Sequence, residues 1–295
     1  MSLSSLVFLA VLLGVNGSLS VTIRPEAAST DMSAHPNSLP ETADEADTSG
    51  QVRVLELEET EEDVMATGEL NPNHYPAQRA ANVVRHYLNT RYGSPYRVFT
   101  LNRVHSGNAE DMADSGRKYQ LEISVQDFIS NKTEKCSAEV LFPRGEPQDS
   151  PSVQASCEEL LKIDTKAQEE AWYQQNKNQS LVTAHLPDSY GHIDPGNEPL
   201  WHLGIVASSF IMLNESTENT LYNMAQVANV TQLETENDQL KFDYYILLHD
   251  MVSQEIIHWK LLFTWSPAEG VKVLQKELMP KCHHCETVEV IANTN

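Results

Sequence analysis

The residues best suited to chemistry stand near the end of the chain, in Cys282-His283-His284-Cys285. Thiolates and imidazoles are ligands that zinc prefers. Four donors in four consecutive residues, however, cannot easily surround one ion as a tetrahedron. A CxxC pair also serves redox chemistry where a helix N-terminus lowers the thiol pKa, but this pair follows Pro280 in a terminal segment. A plain disulfide, or pairing with another chain, is therefore the expectation for Cys282 and Cys285 in an oxidising compartment. The other two cysteines, Cys136 and Cys157, flank a predicted hairpin. They can bridge its open end if they face each other on adjacent strands. His86, His105, His202, His249 and His258 are scattered through predicted helices and strands and read as packing or surface residues. No HExxH, GxSxG, phosphate loop or dinucleotide fingerprint is present. No catalytic residue, cofactor or metal is expected, and the chain reads as no enzyme.

Charge narrows the partners. The 295 residues carry 20 basic against 42 acidic side chains, a formal charge of −22. Such acidity argues against nucleic acid and anionic membrane as partners. It is concentrated early: thirteen Asp or Glu and a single Arg, Arg53, fall between Glu26 and Glu69. That stretch has too little apolar surface to offset chain entropy, so residues 18–72 are expected to be an acidic disordered tail. Gln51–Leu57 alternates like a strand, which in an acidic tail is incidental. The acid run Glu56–Asp63 also admits attraction to calcium mineral, although specific calcium sites need carboxylates fixed in space.

Leu3–Val15 is a short apolar run ending near small residues, as a signal peptide over 1–17 would. Its thirteen residues are too few to span a bilayer comfortably; an uncleaved signal anchor is the rival reading. A secreted, extracellular protein is expected, with no membrane insertion after cleavage. Sequons at Asn131, Asn178, Asn214 and Asn229 fit that route. Asn131, in the turn-like SNKTEK, is the best placed for a glycan, and Asn229, within an apparent strand, the least.

The elements that must position these residues follow from periodicity. Phe242–His249 and Ile256–Trp265 are rich in Tyr, Ile, Phe and Trp and flank the polar connection Asp250–Glu255, which predicts a long antiparallel hairpin. Leu200, Leu203, Ala207, Phe210 and Ile211 recur at helical spacing and supply its cover, with Asp194 before them as a helix cap. Strands Leu221–Leu233 and Val271–Leu278 complete a helix plus four strands. The first half has the same order. Pro76 opens a helix lined by Ala80, Val84, Tyr87 and Leu88 and ended by Gly93 and Pro95. Strands follow at Tyr96–His105, Tyr119–Phe128, Cys136–Phe142 and Val153–Cys157. Glu158–Asn176 reads as a connecting helix. An α-then-meander unit occurring twice argues for a duplicated α+β module. Trp201, Trp259 and Trp265 are expected to fill or edge the second core.

Particular residues carry a resemblance. Tyr75-Pro76-Ala77-Gln78-Arg79-Ala80-Ala81, Gly93-Ser94-Pro95, Pro187 through Pro195, Leu247-Leu248-His249 and Ser253-Gln254-Glu255-Ile256-Ile257 resemble the latexin and retinoic acid receptor responder protein family, over roughly Tyr75 to Leu278. The signal peptide, the sequons and the HIDP run place the chain in the secreted branch, which includes ovocalyxin-type eggshell proteins. The resemblance implies an α+β fold of two tandem cystatin-like modules, each one helix on a four-stranded antiparallel sheet, joined by a linker helix. The boundaries would be 73–157 and 193–279 for the modules, 158–192 for the linker and 280–295 for a C-terminal tail. It also implies inhibition of a zinc carboxypeptidase, through the second module. Met251, Val252, Ser253, Gln254 and Glu255 are then the expected inhibitor contacts, with Val252 for an apolar subsite and Gln254 for a hydrogen bond. The Gln-x-Val-x-Gly loop of cysteine-protease inhibitors is absent from His105–Gly116 and Glu234–Gln239. The last residues, Ile291-Ala292-Asn293-Thr294-Asn295, do not suit threading into an apolar carboxypeptidase pocket. Two alternatives remain: a structural protein of extracellular or biomineral matrix acting through its acidic tail, and a membrane-anchored regulatory protein.

Overall fold

The computed structural model describes residues 67–280, apart from 114 and 146–148. The expectations for the signal peptide, the acidic run, Gln51–Leu57, Cys282 and Cys285 lie outside the described residues.

Strand β1 (Gly68–Leu70) leads into helix α1 (Tyr75–Tyr92), which has Pro76 in its first turn, where a missing N–H costs nothing. A meander follows: β2 (Phe99–Met112), β3 (Gly116–Asp127), β4 (Thr133–Pro143) and β5 (Ser152–Ser156). Helices α2 (Glu158–Leu161) and α3 (Lys166–Asn176) connect to the second half. There β6 (Val182–Leu186) precedes α4 (Glu198–Glu215), and a second meander runs through β7 (Tyr222–Glu236), β8 (Gln239–Asp250), β9 (Glu255–Ser266) and β10 (Gly270–Leu278). Both sheets are antiparallel, with strand orders β1-β2-β3-β4-β5 and β10-β9-β8-β7-β6.

Each sheet therefore has five strands, not the expected four. The additional strands, β1 and β6, are short edge strands of 3 and 5 residues, too brief for alternation to stand out in sequence. β1 falls within the span read as acidic tail, and β6 within the span read as connection. Nor is the linker one helix: it breaks at Lys162–Thr165, where Asp164 turns its carboxylate onto the Lys166 amide at 3.1 Å. Asp194 caps a 3-10 turn, Pro195–Asn197, by accepting from the Gly196 amide at 2.8 Å, and that turn feeds α4.

The helix and the two strands after it repeat with a displacement of 123 residues, from Tyr75 to Glu198 at the helix starts, and from Phe99 to Tyr222 and Gly116 to Gln239 at the strand starts. The register shifts match as well. β2 is bulged at Leu101/Arg103 and Val104/Ser106, and β7 at Met224/Gln226 and Val227/Asn229. Bulges at equivalent points bend each sheet around its helix.

Each helix covers the apolar face of its own sheet, and the helices also pack on each other. Ala77, Ala80, Ala81, Val84 and Leu88 of α1 join Phe99, Tyr119, Ile123 and Phe142 in the first core. Leu200, Leu203, Ala207 and Ile211 of α4 join Phe242, Tyr244, Phe263 and Trp265 in the second, with Trp172 of α3 at 5.3 Å from the Trp265 ring. Between its end residues Glu198 and Glu215, α4 bears no Asp, Glu, Lys or Arg, as befits a helix covered on both sides. Two glycines permit that closeness. A Cβ at Gly204 would stand 2.4 Å from Val227 of β7, and one at Gly93 would stand 2.7 Å from Val206 of α4. Cys136 and Cys157 face each other where the β4–β5 pairing ends, and they form a disulfide with Cα atoms 5.0 Å apart. Closing a loop of this length stabilises the fold by about 3 kcal/mol.

Two histidines are buried at the junction of the modules. His86 of α1 lies 3.2 Å from the Tyr222 carbonyl, and His202 of α4 lies 2.8 Å from the Pro95 carbonyl. Burial, aided by the Arg85 charge, holds His86 well below the usual imidazole range against the opposing Tyr222 carbonyl. Burial also lowers His202, against the Pro95 carbonyl and the charges of Glu198 and Asp127. Below about pH 6.5 the unfolded chain binds protons at both rings that the native chain refuses, so stability falls as pH drops. The limit is about 1.4 kcal/mol per pH unit for each ring. Urea midpoints between pH 7.5 and 5.5 measure this, and His86→Gln should flatten the slope. An unchanged slope in that variant would contradict a neutral buried His86.

Candidate functional site

The four residues Met251–Gln254 join β8 to β9, with Asp250 paired to Glu255 at the base. Asp250 organises them. It is 5 % exposed, and its Oδ1 accepts from the Leu221 amide at 3.0 Å and the Val252 amide at 3.1 Å. Its Oδ2 accepts from the Ser253 hydroxyl at 2.8 Å. Burial by itself would raise this carboxyl, but the amides of Leu221 and Val252 and the hydroxyl of Ser253 outweigh it and hold Asp250 below its ordinary value. The Met251 amide donates to the Leu221 carbonyl at 2.9 Å, and Gln254, at φ 61°, turns the chain into β9. The Gln254 side chain donates to the Met251 carbonyl at 2.6 Å.

Met251, Val252, Ser253, Gln254 and Glu255 are thus brought together in one fixed loop, all exposed. Met251 is 46 % and Val252 41 % exposed, and Ile256, which the loop's sequence pattern does not single out, is 46 % exposed beside them.

The segment that receives this loop is held from the other module. The Tyr222 carbonyl accepts from Asn82 Nδ2 at 2.9 Å and Arg85 Nη2 at 3.2 Å, with His86 Nε2 also at 3.2 Å. Arg79 donates to the Glu218 carbonyl at 2.9 Å, and Tyr119 donates its hydroxyl to the Glu218 carboxylate at 2.6 Å. Arg85 also donates to Asn223 Oδ1 at 2.8 Å, and the Asn223 amide reaches the Met251 sulfur. A path of hydrogen bonds therefore runs from α1 through residues 221–223 to the loop. Contacts across 137 to 140 positions leave no local pattern, so sequence reasoning missed Asn82, Arg85, Tyr222 and Asn223.

It also missed a legible signal. Asp127-Phe128-Ile129-Ser130 matches Asp250-Met251-Val252-Ser253 at the same 123-residue displacement. The geometry repeats too: Asp127 accepts from the Ile129 amide at 3.3 Å and the Ser130 hydroxyl at 2.8 Å, and Asn131 has φ 57° where Gln254 has 61°. The first copy, however, turns Phe128 onto Trp201, with ring centroids 6.0 Å apart.

Of the sequons, Asn131 occupies that exposed left-handed turn position, Asn178 lies exposed just after α3, and Asn214 accepts from the Ser150 hydroxyl at 2.7 Å in the last turn of α4. Asn229 is exposed on β7 opposite Tyr245. Among the described residues no three His, Cys, Asp or Glu are grouped to hold a metal ion. Among them, too, no helix is long and apolar enough to cross a membrane.

The family model described as Latexin matches residues 70–283. The chain belongs to the latexin family. Mouse latexin is 35 % identical over 216 residues, covering 72 % of this chain and 97 % of that protein. Human retinoic acid receptor responder protein 1 is 30 % identical, covering 72 % of each chain, and chicken ovocalyxin-32 is 29 % identical, covering 69 % of this chain and 74 % of its own length. Latexins are inhibitors rather than enzymes, and this member is non-catalytic. Among solved structures, mouse fetuin-B is 12 % identical with a TM-score of 0.22, covering 72 % of this chain and 71 % of that one.

Replacing Asp250 with Ala leaves the Leu221 and Val252 amides without their acceptor, a loss of about 2 kcal/mol. The stabilisation is present above the unfolded carboxyl value near pH 4 and disappears as pH falls through the lower folded value. Urea unfolding should show Asp250→Asn without this acid-limb component, and an identical acid limb in both chains would refute the anchoring role.

Proposed function

We propose that this latexin-family chain is a secreted inhibitor of a zinc carboxypeptidase and that its second module makes the contact through the 250–255 loop. The observation that supports this most is the exposure of Met251 and Val252 on a backbone already fixed by Asp250. A loop ordered before binding loses little conformational freedom on docking, which is what tight inhibition requires. Val252 fills an apolar subsite, and Gln254 turns the loop so that Val252 and Ser253 lead. The first module acts as a buttress, holding residues 221–223 against α1.

The secreted route draws support from the Cys136–Cys157 bridge, since such bonds persist in oxidising compartments. Exposure of Asn131, Asn178, Asn214 and Asn229 leaves all four open to glycan addition.

Mixing the purified chain with A-type and B-type carboxypeptidases tests the reading. Inhibition at micromolar protein or below is expected for at least one. Met251→Asp and Val252→Asp should each weaken it at least tenfold, about 1.4 kcal/mol, at unchanged urea midpoint. No inhibition at micromolar protein with a native circular dichroism spectrum rejects the inhibitor reading. It would return attention to a matrix role for the acidic stretch.

A further inference from the structure

A cavity of about 200 Å³ lies between α1, α4 and the start of β7. Trp201, Ile205 and Met212 line it from one face of α4, Met224 lines it from β7, and the exposed Phe128 ring closes its solvent side. At its polar end stands Arg85. Two of its hydrogen bonds go to the Tyr222 carbonyl and Asn223 Oδ1, while its Nε is buried without a partner. Among the described residues Arg85 forms no ion pair with a carboxylate, in a chain where acidic side chains outnumber basic ones 42 to 20. The neighbouring His86 ring is fully buried, and its Nδ1 also lacks a partner.

A guanidinium beside an apolar wall with no counter-charge is an unfavourable arrangement for the protein alone. Burial draws Arg85 down from 12.5 to about 10, which still leaves it charged at neutral pH. The arrangement suits an anion with an apolar body. We propose that this cavity binds a small carboxylate bearing a single aromatic ring, with the carboxylate on Arg85 and the ring between Trp201, Ile205, Met212 and Phe128. Size limits the class. An apolar cavity of about 150 Å³ accepts benzene, and drug-sized ligands need roughly 300 Å³ or more, so this one takes one ring and a short linker. Charge-assisted hydrogen bonds from a guanidinium to a carboxylate supply the selectivity that a neutral ligand lacks.

Titrating the full chain with 3-phenylpropionate, 3-phenylpropanamide and 3-phenylpropylamine, followed by calorimetry and tryptophan fluorescence, tests this. The acid should bind saturably with a Kd of about 1 mM or tighter, a limit set by its few heavy atoms. The amide should bind about tenfold more weakly, and the amine should not bind. Ile205→Phe fills the cavity and should abolish binding of the acid, and Arg85→Gln should weaken it about tenfold. Arg85 also braces the junction, so the Ile205→Phe variant and the acid–amide comparison decide if Arg85→Gln misfolds. The proposal is overturned by an acid that fails to saturate the native chain, by an amide that binds as tightly as the acid, or by undiminished binding in a folded Ile205→Phe variant.

Discussion

Helix α4 is packed on two faces. One face covers the second sheet at Val227, the other meets α1 beside Gly93, and each approach leaves no room for one extra methyl group. Burying both faces joins the two modules, and it also draws polar backbone into their junction. The Tyr222 carbonyl is the focus of that junction: Asn82 and Arg85 of the other module donate to it, with His86 close by. A carbonyl partly withdrawn from water needs donors, so the α1 side chains and the position of residues 221–223 are set together.

The candidate loop inherits its rigidity from there. The Leu221 amide donates to Asp250 and the Leu221 carbonyl accepts from the Met251 amide, so the loop is fastened to a segment that the first module holds in place. The repeat shows what has diverged. Both copies keep the buried aspartate, the serine cap and the left-handed residue that ends the turn. In the first copy Phe128 packs against α4, and the turn residue is the sequon asparagine Asn131. In the second copy Met251 and Val252 stand open and the turn residue is Gln254. The turn is thus exposed in both modules, and in the first its Phe128 also leans on Trp201 of α4 in the other module.

Long elements were legible in the sequence because their periodicity is strong. Helix α1 carries an apolar stripe, α4 is apolar nearly all round, and β8 alternates cleanly between buried and half-exposed positions. Gly68–Leu70 and Val182–Leu186 were not legible, because three to five residues carry no period and their pairing is decided by the strand next to them. The contiguous loop residues could be read, whereas their anchor could not be ranked: Asp250 looks like any turn aspartate until its burial is known. The junction was the least visible, because an asparagine and an arginine on a helix announce neither a carbonyl 140 positions away nor the cavity beside it.

The dependence of the loop on the opposite module is open to direct measurement by a double-mutant cycle between Asn82→Ala and Asp250→Ala, read as urea unfolding free energies. Residues that share one bonded segment should couple by about 0.5 kcal/mol or more. Strict additivity, within about 0.3 kcal/mol, would mean that the loop stands independently of the junction and would contradict a buttress supplied by the first module.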